Sequence, residues 1–261
     1  MNNFGRVIEF YVADRVWKYP ELDMEFEIEF DAESNGNTGN IKIYNLSDKS
    51  LQKLKKGNEF KLKAGYKNDI GTIMKGKISS SETKFDKGTK ITKVVLEEDI
   101  SVLIDTKINM TWAKDIRSNT IIRDIIGETG LTIGDLEIDD DKKYPKGKTF
   151  SCDAKKALEE LAKDTKCKMH ISRGKIYFTP KDKSIYNVMK LNKDNGLIAS
   201  PQEIDNEDEK RWKVQSLLRY EAEADIILDI ESSTINGRYK VVKGNHNSDF
   251  VTECEVVKFA A

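Results

Sequence analysis

The sequence predicts a mainly β protein with some helix, in which two β-rich parts flank a small α+β unit. Three observations predict it. Residues 24–30 alternate Met24, Phe26, Ile28 and Phe30 with Glu25, Glu27 and Glu29, the period of a half-buried strand. Residues 39–66 read strand, short capped helix, glycine stop and second strand. Residues 106–185 switch twice to helical periodicity before strand patterns return in 186–261. The expected parts are therefore 1–105, 106–185 and 186–261.

Taken in order, Val7 to Val12 opens as a strand, and the Met24–Phe30 run follows. Asn35-Gly36-Asn37 is a turn. Ile41 and Ile43 alternate with Lys42 and Tyr44. Ser47 is a good N-cap for a helix over Lys49 to Lys55 that puts Leu51 and Leu54 on one face, and Gly57 supplies the left-handed stop. Phe60, Leu62 and Ala64 alternate again. Gly71 to Ser80 and Ile91 to Leu96 are strands around the turn Asp86-Lys87-Gly88. Such a set with one short helix suggests a small antiparallel barrel or sandwich.

In the middle part, Ser118 or Asn119 is the expected cap of a helix carrying Ile121, Ile122, Ile125 and Ile126, stopped by Gly130. A charged loop spans Asp139 to Lys148. Ser151 is the expected cap of a second helix with Ala154, Ala157, Leu158, Leu161 and Ala162 at i, i+3, i+4, i+7 and i+8. A hairpin turns at Arg173-Gly174. In the last part, Asn192 to Glu209 reads as an exposed polar connection, and Lys213 to Tyr220, Ile226 to Ile230, Arg238 to Lys243 and Val251 to Val257 as strands. An internal echo links the outer parts. FKLKAGYKNDIGTIMKGKI from Phe60 and IILDIESSTINGRYKVVKGNH from Ile226 share the plan strand, glycine turn, strand, glycine, and another strand follows each.

Composition narrows the function. Lysine plus arginine (44) balances aspartate plus glutamate (45), which argues against a dedicated nucleic-acid binder. No apolar run reaches the roughly 18 residues of a membrane span, and MNNFGRVIEF does not read as a signal peptide. Cys152, Cys167 and Cys254 are scattered, with no CxxC and no disulfide framework, as in a reducing compartment.

Candidate chemistry is sparse. His170 lies on a strand among apolar residues. His246 precedes Asp249 by three residues, but Gly244 to Phe250 is also what hairpin turn chemistry asks for. Asp135, Glu137, Asp139 and Asp141 alternate like the start of a calcium loop, without its glycine and terminal glutamate. Gly65, Gly71 and Gly76 make no phosphate loop. Tyr44, Tyr66 and Phe85 are not interleaved with a basic stripe. No catalytic set, cofactor or metal is expected. The residues favour a structural or binding protein.

Four segments together carry a resemblance: PELDMEFEIEFDAESNGNTGNIKIYNLS (Pro20 to Ser47), GNEFKLKAGYKNDIGTIMKGKI (Gly57 to Ile78), FSCDAKKALEELAKDTKCKMHISRGKIYFTP (Phe150 to Pro180) and GRYKVVKGNHNSDFVTECEV (Gly237 to Val256). Their order resembles the baseplate hub proteins of contractile phage tails and of phage-tail-like bacteriocins of Gram-positive, clostridial-type bacteria. The resemblance implies two tube-type antiparallel β-barrel domains, at 1–105 and 186–261, around the small α+β domain. It implies a non-enzymatic homotrimer forming a pseudo-sixfold ring. Its expected partners are the tail tube protein, the central spike, baseplate wedge proteins and the tape measure protein, with no membrane and no specific nucleic acid. It would sit in the baseplate of a virion or phage-tail-like particle assembled in the bacterial cytoplasm. On that reading Glu25, Glu27 and Glu29 face the lumen or a subunit border. Two other readings stay open: a β-barrel module for oligosaccharide or single-stranded nucleic acid, and a hydrolase using His246 and Asp249.

Overall fold

A computed structural model describes residues 4–32, 35–180, 188–204 and 209–259. The first part contains β1 (Arg6–Val12), β2 (Arg15–Tyr19), β3 (Met24–Asp31), β4 (Thr38–Tyr44), α1 (Asp48–Leu51), β5 (Glu59–Tyr66), β6 (Asp69–Asp86) and β7 (Thr89–Glu98). These strands run in the order β2-β1-β5-β6-β7-β4-β3, each pair antiparallel. The alternation of β3 is strict: Met24, Phe26, Ile28 and Phe30 are buried and the three glutamates exposed. Ser47 caps α1 as expected, its Oγ accepting from the Ser50 amide at 3.3 Å. The helix is shorter than its pattern suggested. The chain leaves it at Gln52, and the Ser81 hydroxyl takes the Leu54 carbonyl at 2.6 Å.

The middle part contains α2 (Ser101–Asp105), β8 (Lys107–Trp112), β9 (Ile116–Arg117), α3 (Ser118–Thr129), β10 (Thr132–Leu136), β11 (Lys143–Tyr144), β12 (Lys148–Asp153), α4 (Ala154–Asp164), β13 (Cys167–Ser172) and β14 (Lys175–Pro180). Both helices carry the expected apolar stripes, and Gly130 ends α3 at φ +70°. The caps differ from expectation. Ser151 lies inside β12, and Asp153 caps α4 by accepting from the Lys156 amide at 2.9 Å. No side chain at the start of α3 caps it; the distant Asp141 does, accepting from the Asn119 amide and the Ser118 hydroxyl, both at 2.9 Å.

The last part contains β15 (Val188–Leu191), β16 (Gln202–Ile204), β17 (Arg211–Leu217), β18 (Ile227–Glu231), β19 (Asn236–Asn247) and β20 (Val251–Lys258). Two expectations are corrected. The polar connection over 192–209 holds the edge strand β16, and strand β19 runs on through Gly244 to Asn247 where a turn was expected. In each case polar residues are accommodated by backbone pairing, which hydropathy does not report.

By compactness the chain forms two units. One takes in the described residues of 1–31, 37–98 and 186–261, the other those of 32–36 and 99–185. The first unit is one 13-stranded sheet, mostly antiparallel, because β3 pairs with β19 and the order continues β19-β20-β17-β16. Its core is shared by both chain segments. Phe250 stands 6.4 Å from Phe26 and 5.8 Å from Tyr66, ring centre to ring centre.

The internal echo has a register behind it. The order β3-β4-β7-β6-β5 is matched by β16-β17-β20-β19-β18. On β6 the bulge leaves Ser79 unpaired between Ile78 and Ser80; on β19 it leaves Val242 between Val241 and Lys243. Anchored there, the ladders of the two series coincide, except that β5–β6 shifts register after Leu62 and β18–β19 does not. Ile41 faces Val94 as Val214 faces Cys254, and Thr83 faces Thr92 as His246 faces Thr252. The correspondence stops at the next strand, since β1 is antiparallel to β5 and β15 parallel to β18.

Candidate functional site

The histidines are structural. His246 is 1% exposed and held at both nitrogens, Nδ1 at 2.9 Å from Thr252 Oγ1 and Nε2 at 3.1 Å from the Ala222 carbonyl. A carbonyl only accepts, so Nε2 carries the proton and Nδ1 accepts from the threonine. Thr252 in turn accepts from the Arg219 amide at 3.0 Å, which closes a consistent donor chain. Neither nitrogen is left for a nucleophile, so the arrangement expected of a hydrolase with Asp249 is not assembled. His170 is buried and stacked on Tyr177, ring centres 4.9 Å apart. Burial pushes the Cys254 thiol up to about 12, away from any reactive thiolate. Of the alternating acids, Asp141 is used as a helix cap. Among the described residues no group of three or more His, Cys, Asp or Glu converges on a metal position, and no helix is long and apolar enough to cross a membrane.

What the fold does present is a continuous polar sheet face. Because side chains alternate across a strand, the residues opposite the core on β3 line up with those of β4 and β7 on one side and β19 and β20 on the other. Glu25 lies beside Lys42, Glu27 between Asn40 and Asn247, and Glu29 between Thr38 and Asn245. One strand further out, Glu97 lies beside Thr38 and Glu253 beside Asn245.

The three predicted glutamates are not equivalent. Glu25 receives the Tyr44 hydroxyl at 2.7 Å and the Lys42 ammonium at 3.0 Å. These hold its carboxyl below the usual 4.5, the tyrosine contributing most, and the same contact pushes the Tyr44 phenol up to about 12. Glu253 is similarly engaged, with Lys213 at 2.6 Å and Gln215 at 2.7 Å. Glu27, Glu29 and Glu97 are exposed, and no cation lies within ion-pair distance of them among the described residues. Glu29 stands on a ridge between two shallow depressions, one of about 250 Å³ reaching Glu253 and Glu255, one of about 190 Å³ reaching Lys93 and Val95. The structure thus separates one internally satisfied carboxylate from a cluster with charge to spare.

Two further features escaped the sequence reading. The end of β6 and the turn into β7 project, with residues 80–88 all exposed and Phe85 75% exposed. The short strand β16 ends the sheet. The run Ser79-Ser80-Ser81-Glu82-Thr83-Lys84, strand-compatible but without an apolar face, was the signal for the first.

No protein-family model and no curated protein matches this sequence. Solved structures do match, along nearly the whole chain. The 43 kDa tail protein of prophage MuSo2 from Shewanella oneidensis superposes with a TM-score of 0.69 at 10% identity, over 97% of each chain. The tail protein from Neisseria meningitidis MC58 gives 0.67 at 9% identity, over 98% of this chain and 97% of that one. This chain has the fold of phage tail proteins. An E. coli component of the type VI secretion system, described as structurally similar to the T4 bacteriophage tail proteins gp27 and gp5, gives 0.65 at 9% identity, over 96% of this chain and 77% of that one.

Proposed function

We propose that this chain is a structural, non-enzymatic hub subunit of a phage-tail-like baseplate. In this reading three copies form a pseudo-sixfold ring that joins the tail tube to the central spike. The observation that carries it is the register-matched repeat. A chain holding two equivalent strand sets presents six such sets from three copies, which suits a sixfold tube above and a threefold spike below. The tail-protein fold along the full chain supports the same reading.

The two strand sets act as tube-type barrel modules, within 1–105 and 186–261, with 106–185 as the inserted α+β domain. The sheet face carrying Glu27, Glu29 and Glu97 lines the lumen. Its uncompensated negative charge repels DNA and acidic protein, so that cargo and tape measure pass without adhering. Tube, spike and wedge proteins are the partners, and the particle is put together in the bacterial cytoplasm.

Two measurements test this. Light scattering on the purified chain should give a species three times the 29.8 kDa chain mass. Gold-labelled antibody in negative stain should mark the spike end of the tail. Labelling along the sheath, or none on intact particles, would overturn the assignment.

A further inference from the structure

We propose that the first strand set carries a basic docking patch, built by Lys61, Lys63 and Lys75, which receives a carboxylate-bearing surface of another protein of the particle, and that the second strand set carries no such patch. The observation behind it is a pair of like charges. Lys61 on β5 lies directly opposite Lys75 on β6, and like charges placed so destabilise a sheet. On its other side Lys61 meets Tyr11 of β1, its Nζ 4.7 Å from the ring centre, and the Lys63 Nζ stands 5.8 Å from the same ring. The ring attracts both ammonium groups without neutralising them. The acid facing this row is Glu9, opposite Lys63. It is already engaged by the Tyr11 hydroxyl and by Lys18 at 3.2 Å. Among the described residues no carboxylate lies within ion-pair distance of Lys61, Lys63 or Lys75.

The repeat supplies the comparison. In its register Lys61 and Lys75 correspond to Asp229 on β18 and Arg238 on β19, which also face one another. Asp229 lies between Lys190 of β15 and Arg238, so that row is compensated where its counterpart is not. Two residues further along the strand stands Lys63 in the first set and Glu231 in the second. Equivalent backbone positions thus accept either charge, and the fold does not require the two opposed lysines. A partner that supplies the missing anions accounts for a repulsion the fold could have removed.

The occupant is an acidic protein surface and not an extended polyanion. The patch is small, since residues two apart on a strand are separated by about 6.7 Å and adjacent strands by about 4.8 Å. Glu97, opposite Lys77 on the next strand, bounds it with a charge that repels phosphate laid across the sheet. The occupant is also a different chain. Strands β1 to β7 bury their inner faces in one core, so the sheet wraps round it and its outer face points in different directions at β5 and at β3. In the ring proposed above the acidic face of every copy is turned to the lumen, out of reach of these lysines. One patch per chain gives three equivalent sites from three copies, so a pseudo-sixfold ring is threefold in its charge.

This inference rests on the baseplate reading, and one experiment separates the two. A particle-producing strain lacking its own copy is complemented with the wild type, Lys61→Glu, Lys75→Glu or Arg238→Glu. Each lysine variant turns the like-charge pair into an opposite pair, so the purified chain should keep a urea midpoint at or above wild type. Its incorporation into particles should nevertheless fall about tenfold or more, the scale of one lost close charge pair at an interface. Arg238→Glu makes the same charge change at the equivalent site of the second set and should leave incorporation unchanged. Intact wild-type particles are also treated with a water-soluble carbodiimide, which joins a lysine amine to a carboxylate in direct contact. Peptide mapping should find Lys61, Lys63 or Lys75 linked to an aspartate or glutamate of another protein. Wild-type incorporation of both lysine variants, links to a second copy alone, or release of the chain from particles by nuclease would each overturn the patch, while the baseplate reading survives. An equal loss in Arg238→Glu would overturn the difference between the two sets. A wild-type chain absent from every particle overturns patch and baseplate reading together.

Discussion

Replacing His246 by alanine should unfold the seam between the two strand sets. The side chain is 1% exposed, bridges Thr252 and the Ala222 carbonyl, and lies 4.9 Å from the Phe30 ring of β3. The substitution orphans the buried Thr252 hydroxyl, at about 1–3 kcal/mol, and removes the bond to the Ala222 carbonyl and the ring contact. We expect a loss of about 3 kcal/mol, which in a chain of this size lowers Tm by about 6–12 °C. The chain has two compact units, so a global melt mixes their transitions. Amide hydrogen exchange on β19 and β20 isolates the seam, and protection there should fall about a hundredfold. Two controls sharpen the test. Asp249→Ala, an exposed change, should cost under about 0.5 kcal/mol. Thr83→Ala sits at the equivalent point of the first strand set, where an exposed side chain meets the buried Thr92 hydroxyl at 3.1 Å, and should cost about 1 kcal/mol, less than His246→Ala. If His246→Ala keeps wild-type protection in β19 and β20, the structural role argued for this histidine is wrong.

Other expectations follow from the same geometry. Glu27→Lys combined with Glu29→Lys should leave folding intact, since neither glutamate has an ion-pair partner among the described residues, and should impair assembly or ejection; full particle yield and killing would refute the lumen role. Asp141→Ala removes the cap of α3 and should cost about 1–2 kcal/mol, read as lower protection in Ser118–Thr129 with unchanged β19. Gly76→Ala places a Cβ against the Glu97 carbonyl and 2.8 Å from Glu98 Cα, both backbone; a loss of about 2–3 kcal/mol is expected, and an unchanged urea midpoint would contradict it. Glu25 has a lowered carboxyl pKa in the folded chain. Its contribution is present above its usual 4.5 and disappears as pH falls through the lower folded value. Glu25→Gln should therefore flatten the fall of Tm with pH in that acid range, and an identical slope would show that the Tyr44 and Lys42 contacts do not act.

Much of the fold was legible along the chain. Strict alternation at 24–30 located β3, and helical stripes located α3 and α4, because burial on one face writes its period directly into the sequence. The caps were less legible. Ser47 acts locally and was found, whereas Asp141 reaches α3 from a loop more than twenty residues away. Strand β16 and the end of β19 were missed because their residues are polar and become strands only by finding a neighbour. Of the candidate site, the three glutamates were visible as one exposed row. That Glu25 is neutralised while Glu27 and Glu29 are not depends on Tyr44 and Lys42, which a cross-strand register brings to Glu25 alone.

By itself the sequence determined the mainly β class, the inserted helical unit, the lack of an obvious catalytic motif and the presence of a repeated strand plan. These depend on periodicity and residue type, which are local. Only the tertiary structure decided that the outer parts form one sheet through β3 and β19, and that His246 is a strut. Those outcomes depend on which backbone edge meets which, and edge pairing uses the same amide and carbonyl groups whatever the side chains are.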